Sequence, residues 1–179
     1  MNQPTSPGTA PLPTTIDDFM AQALVMELDA AQRYNEFADM METHNNPEVG
    51  AWFRKMAVIE GKHAAQIMAE MGWKEAPRHI ATTPVFEGFE APESAPIDEV
   101  HYLMRPWHVL QLALANEERA ERFFAHLASV ATLESVRKAA LALQQEEREH
   151  VELVKAWMQK VPQPDSNWDH DPDPPRNDE

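Results

Sequence analysis

A chain of 179 residues that is 43% hydrophobic, lacks cysteine and carries a net charge of −15 suits one domain with a sizeable core. The missing thiols exclude disulfides, thiolate-bound zinc and iron–sulfur clusters, and the acidic balance argues against nucleic acid, whose phosphates need a basic face. The opening MNQPTSPGTAPLPTT has no basic start and no apolar run, and no stretch approaches the ~20 apolar residues that span a bilayer. We therefore expect no signal peptide, no membrane contact and a cytoplasmic location, which the lack of cysteine fits.

Proline divides the chain. Of fifteen prolines, four fall in residues 1–13, five in 162–175, and Pro77, Pro84, Pro92 and Pro96 punctuate one linker. Proline is excluded from helix interiors, so the proline-poor segments are the predicted helices. The first runs from Thr15 or Ile16 to Thr43, with Asp17 and Asp18 in its first turn. The second opens on Asn46 as N-cap with Pro47 behind it and closes at Gly72. The third runs from Pro106 to about Ala131, after a segment, PIDEVHYLMR, that suits a short extra turn. The fourth spans Thr132 or Leu133 to Lys160. No period-two alternation is sustained, so no sheet is expected.

Short loops join the first and second helices, and the third and fourth, which makes them antiparallel neighbours. The linker over 73–105 is long enough to cross a bundle. The expected fold is all-α, a ferritin-like four-helix bundle of two antiparallel hairpins joined by a long crossover. The bundle occupies 15–160, between a Pro-rich arm (1–14) and an acidic Pro-rich tail (161–179).

Steps of three and four residues trace an apolar stripe on each helix: Met20, Ala23, Glu27, Ala30, Tyr34, Phe37 and Met41; Val49, Phe53, Met56, Glu60, His63 and Ile67; Trp107, Leu110, Leu114, Glu117, Glu121, Phe124 and Ala128; Val136, Ala140, Leu143, Glu147, His150, Val154 and Trp157. Each stripe is interrupted near its middle by a carboxylate. Glu-x-x-His by itself is a weak signal, since twenty glutamates and eight histidines give about one such pair by accident. Four glutamates in mid-stripe, with both histidines one turn further along, form a far more specific pattern. Facing carboxylates are intolerable when buried unpaired, and the stripes hold no Lys or Arg. Two divalent cations would balance the four charges, with an imidazole completing each shell. Oxygen-rich ligands with one nitrogen per ion suit iron, or manganese, better than copper. One Glu from each of two helices and Glu-x-x-His from each of the other two is the ligand pattern of ferritin-like and designed di-iron bundles. The bland reading is that Glu60 and Glu147 lie on solvated faces in a shifted register.

The two halves also repeat. ELDAAQRYNEFA (27–38) parallels EERAERFFAHLA (117–128), and VGAWFRKMAVIEGKH (49–63) parallels VRKAALALQQEEREH (136–150). A twofold repeat sets two equivalent half-sites face to face.

Over residues 15–160 the chain resembles the rubrerythrin-like branch of the ferritin-like superfamily, through ELDAAQRY, EVGAWFRKMAVIEGKH, NEERAERFF and QQEEREH. The resemblance implies a di-iron carboxylate centre that reacts with hydrogen peroxide or dioxygen. It implies metal ligands at Glu27, Glu60, His63, Glu117, Glu147 and His150, with Glu60 and Glu147 bridging and Glu27 and Glu117 terminal. It also implies a homo-oligomer, dimer or larger. The chain departs from the family in three respects. Ala120 stands where an extra glutamate is usual, leaving Glu121 as a possible extra carboxylate or a rim group. His150 stands where rubrerythrins carry Glu, as in bacterioferritin. The chain has none of the cysteines of a rubredoxin domain, so turnover is expected to require an external electron donor. Tyr34, two turns past Glu27, is placed to bond a ligand, relay an electron or fill the core. His101 and His108, near the crossover, are an entry path or ordinary histidines. The resulting expectation is a redox enzyme reducing peroxide or dioxygen. Its alternatives are iron oxidation with storage or delivery, oxygenation of an organic substrate, and a metal-free interaction module.

Overall fold

Thr15 opens the first helix, α1 (Ile16–Thr43), by accepting a hydrogen bond from the Asp18 N–H at 3.0 Å, and Asp17 and Asp18 complement the positive end of the helix dipole. Asn46 caps α2 (Pro47–Met71) through the Val49 N–H, and Gly72 ends it in the left-handed conformation, φ +67°, that a side chain would resist. α3 covers Pro106–Val130 and α4 covers Glu134–Met158. The helices thus begin and end within two residues of the positions read from sequence. Among the described residues just before α3 a single turn forms, with the Met104 N–H bonded to the His101 carbonyl at 2.9 Å.

The computed structural model describes residues 13–77 and 100–171. Nearly all of the expected N-terminal arm, the middle of the crossover with His79, and the last part of the acidic tail lie outside these residues. The described residues contain four helices and no strand.

α1 packs on α2 and α3 on α4, and the two hairpins meet face to face, as in ferritin-like bundles. The Asn46 amide fixes their relative direction. Its Nδ2 donates to the carbonyls of Tyr102 (3.1 Å) and Met104 (2.9 Å), so α2 and α3 start at the same end of the bundle. α2 finishes at the other end, about 37 Å away for its 25 residues at 1.5 Å each. The crossover therefore begins and ends at opposite ends of the molecule.

The core has two apolar parts. One, around Phe19, Leu24, Ile67, Phe123, Phe124 and Val136, fills the end where α4 begins. The other, around Phe37, Met41, Phe53, Met56, Leu110 and Val154, fills the end where α2 begins, and Val161 and Trp168 pack on it as residues 161–171 run along the bundle. Between the two lies a polar layer.

The stripes of α1, α2 and α4 follow the sequence reading closely. On α3 the buried face is centred earlier. Trp107, Leu114 and Glu121 are only half-buried, whereas Val109, Ala113, Asn116, Ala120 and Phe123 are buried. A helix packed against more than one neighbour buries a face wider than a single seam.

Candidate metal centre

The polar layer contains the six residues that interrupt the stripes. Glu27 of α1, Glu60 of α2, Glu117 of α3 and Glu147 of α4 are all buried, with 1%, 4%, 4% and 3% of their surface exposed. They fall into two groups of identical composition, Glu27–Glu60–His63 and Glu117–Glu147–His150, each with one ligand atom per residue lying within 4.8 Å of the others. Each group belongs to one hairpin, as the internal repeat requires. His63 Nδ1 lies 3.3 Å from Glu27 and 3.2 Å from Glu60; His150 Nδ1 lies 3.4 Å from Glu147 and 3.7 Å from Glu117. The two imidazoles stack across the gap between hairpins, ring centres 4.2 Å apart and planes 13° from parallel. Their side chains are 13% and 20% exposed, so this is the side on which the layer approaches solvent.

The electrostatics describe a site that lacks positive charge. Burial pushes Glu27 up to about 7, against the hydrogen bond from His63. Burial and then the charge of Glu27 push Glu147 up to about 8. Burial, followed by the charges of Glu60 and Glu147, raises Glu117 well above the usual carboxylate range. For His63, burial favours the neutral ring, but the bonds to Glu27 and Glu60 outweigh it and push the imidazole up to about 11. His150 is lowered, by burial and then by the charge on His63. Without an added cation the layer therefore balances itself with protons, on its raised carboxyls and on the His63 imidazole. Glu117 Oε1 is buried with no hydrogen-bond partner among the described residues, a state that costs about 1–3 kcal/mol for a polar group and more for a charged one. Two cations fit this donor set: they would neutralise the carboxylates, occupy the orphaned oxygen and take the neutral imidazole nitrogens.

The structure brings Tyr34 to this layer and leaves Glu121 out of it. Tyr34 lines a small space shared with Ala30, Glu60, Asn116 and Glu117. Glu121 turns to the flank of the bundle, where Arg148 of α4 reaches it at 2.9 Å, and it joins neither group. His108 is buried away from the carboxylates. Its Nδ1 accepts from the Arg105 N–H at 3.0 Å, which assigns it to the start of α3, and burial lowers its pKa. His101 Nδ1 accepts from the Leu103 N–H at 3.2 Å. Both are local structural histidines, with Trp168 against their rings. The residue that sequence reasoning missed is Asn116, buried beside Glu117 with its Nδ2 2.8 Å from the Tyr34 hydroxyl. The available signal was its place three residues before Arg119 and one before a stripe glutamate, where the matching position of the first half holds Met26.

The family model that matches the chain is that of rubrerythrin, over residues 18–101, which covers the first hairpin from Asp18 onward. Among solved structures, an uncharacterised conserved protein from Magnetospirillum magnetotacticum MS-1 is 32% identical, with a TM-score of 0.61, over 84% of this chain and 98% of that one. No curated protein matches the chain in sequence. Among the described residues, no helix is long and apolar enough to cross a membrane. A relative this similar over nearly its whole length, a rubrerythrin match and two Glu–Glu–His groups in a four-helix bundle together place the chain in the rubrerythrin family of ferritin-like di-iron carboxylate proteins.

Proposed function

We propose that this protein is a non-haem di-iron oxidoreductase that reduces hydrogen peroxide or dioxygen, with Glu27, Glu60, His63, Glu117, Glu147 and His150 as its metal ligands. The observation that carries the reading is the burial of four carboxylates at one depth between two apolar cores, each hairpin supplying the same ligand set. When bound, two ferrous ions supply one electron each, so that one hydrogen peroxide and two protons become two waters.

The residues do the rest. Glu60 and Glu147, on facing hairpins, suit bridging positions, and Glu27 and Glu117 terminal ones. Carboxylates whose protons bound cations displace to solvent would offset the positive charge that the metals gain on oxidation. The apolar clusters above and below keep bulk water from the layer. The stacked imidazoles leave the face between α2 and α4 as the approach for a molecule as small as peroxide. The chain has no cysteine for a thiolate-bound iron of its own, so the two electrons return from an external donor. We take the working protein to be a homo-oligomer in the cytoplasm, with iron preferred over manganese for its redox range.

Anaerobic titration with ferrous iron, followed by stopped-flow mixing with peroxide or with dioxygen, tests this directly. The expected result is saturation at two ions per chain and oxidation by peroxide faster than by dioxygen. Saturation below two, or a diferrous protein inert to both oxidants, would overturn it.

A further inference from the structure

Residues 161–171 stay on the bundle after α4 ends. Val161 and Trp168 pack on the core at the end where α2 begins, the rings of Trp168 and His108 have centres 3.9 Å apart, and the Tyr102 hydroxyl donates to Asp171. Between this returning segment and the starts of α2 and α3 lies an open cleft of about 620 Å³, within the ~300–1,000 Å³ typical of small-molecule sites. Three prolines line it, and Pro162 and Pro164 stiffen the returning wall through their fixed φ. The cleft is separate from the metal layer. None of the six ligands lines it, and Trp52, which does, stands about 12 Å along α2 from Glu60.

The lining combines two kinds of group. Trp52 and Trp168, both half-buried, supply flat apolar surface, and Arg105, Lys160, Glu48 and Asp165 supply charge. Local structure accounts for three of the four charges. Glu48 lies in the first turn of α2, where an anion complements the helix dipole, and Lys160 follows the end of α4, where a cation does. Asp165 opens a turn in which its carbonyl accepts from the Trp168 N–H at 3.2 Å. Arg105 has no such account. It occupies the N-cap of α3, where a cation opposes the dipole and a guanidinium, which only donates, cannot cap the helix N–H groups. It is exposed and stands in no ion pair among the described residues.

We propose that this cleft is a binding site for a small aromatic anion, a planar ring that carries a carboxylate or a phosphate. The ring lies against the Trp52 and Trp168 indoles, and the anionic group pairs with the Arg105 guanidinium, with Lys160 as the second cation. A guanidinium grips either anion through paired N–H donors, and indole surface suits any flat ring. The segment after α4 thereby acts as one wall of a site, and nothing in that site depends on the metal reading.

Two probes, each added to the full-length, metal-free chain, test the two anions. Flavin mononucleotide carries a phosphate and loses its own fluorescence when its ring stacks on indole; 1-naphthoate carries a carboxylate and is followed by calorimetry. Saturable binding of either at one per chain is the expected result, and which of them binds identifies the anion the site takes. Arg105→Gln should weaken that binding about tenfold or more, and added salt should weaken it further. The uncharged counterpart of the bound probe, riboflavin or naphthalene-methanol, should bind at least about tenfold more weakly and ignore Arg105→Gln. Trp168→Leu should weaken the probe and its counterpart alike. Binding of neither probe, parental affinity in Arg105→Gln or in Trp168→Leu, or an uncharged counterpart as tight as the anion would overturn the proposal. Helical circular dichroism checks that each variant folds. Iron uptake by Arg105→Gln, measured separately, reports on the metal layer whatever the probes do.

Discussion

Raising the pH should weaken the chelator-treated protein far more than the metal-loaded protein. Glu27 and Glu147, ordinarily near 4.5, are pushed up to about 7 and about 8. A carboxyl whose pKa is raised by folding binds more protons folded than unfolded between the two values, so stability falls as pH rises through that window. At about 1.4 kcal/mol per unit the two shifts correspond to about 3 and about 5 kcal/mol. Because these groups titrate together the sum overcounts, and about 3–5 kcal/mol for the layer is the expected loss between pH 5 and 8. His63 acts in the same direction: its folded pKa is raised to about 11, so its contribution is full below 6.5 and declines above it. With a urea m-value of about 2 kcal/mol/M, the unfolding midpoint should drop by about 1.5–2.5 M between pH 5 and 8. Growing net negative charge would also destabilise the fold with pH, so the control is Glu147→Gln, which removes one titrating group. Its pH slope should be shallower by up to one proton, about 1.4 kcal/mol per pH unit. Urea melts of both proteins, with chelator and with iron, supply the test. A metal-free midpoint that is flat or rises with pH, or a Glu147→Gln variant with the full parental slope, would refute the assignment of these protons to the buried layer.

Other perturbations give sharper local answers. Glu27→Ala and His150→Ala each remove a ligand from one group and should lower iron uptake below two per chain with helical circular dichroism unchanged, as read by metal analysis of the desalted protein. Gly50→Ala should destabilise the α1–α2 hairpin by about 1–3 kcal/mol in a thermal or urea melt, because a Cβ there would lie 2.9 Å from Glu42 Cγ and 3.3 Å from the Ala38 carbonyl oxygen. Asn46→Ala removes a helix cap and two bonds to the approach of α3, and should cost about 2–4 kcal/mol in the same melts.

Much of this molecule is legible in its sequence because the determinants are local. Asn46, Pro47 and Gly72 mark helix ends by backbone geometry that any chain would share, and the apolar stripes follow from the helical period alone. The energetic implausibility of Glu27, Glu60, Glu117 and Glu147 in mid-stripe needs no coordinates to be noticed, and the repeat pairs them in advance. What the helical period could not resolve is direction within a turn. Positions 117, 120 and 121 of α3 differ by a fraction of a turn, and only packing decides that Glu117 faces the layer, Ala120 is buried and Glu121 swings out to Arg148.

Glutamates interrupting four apolar stripes, and therefore a demand for cations between the helices, were determined by the order of residues along the chain. The tertiary structure alone decided which side chains meet from different helices. It stacked His63 on His150 and set Asn116 of the second hairpin against Tyr34 of the first. Periodicity constrains where a residue faces on its own helix, whereas a hydrogen bond between hairpins depends on their relative height and rotation, which are set only when both apolar cores pack.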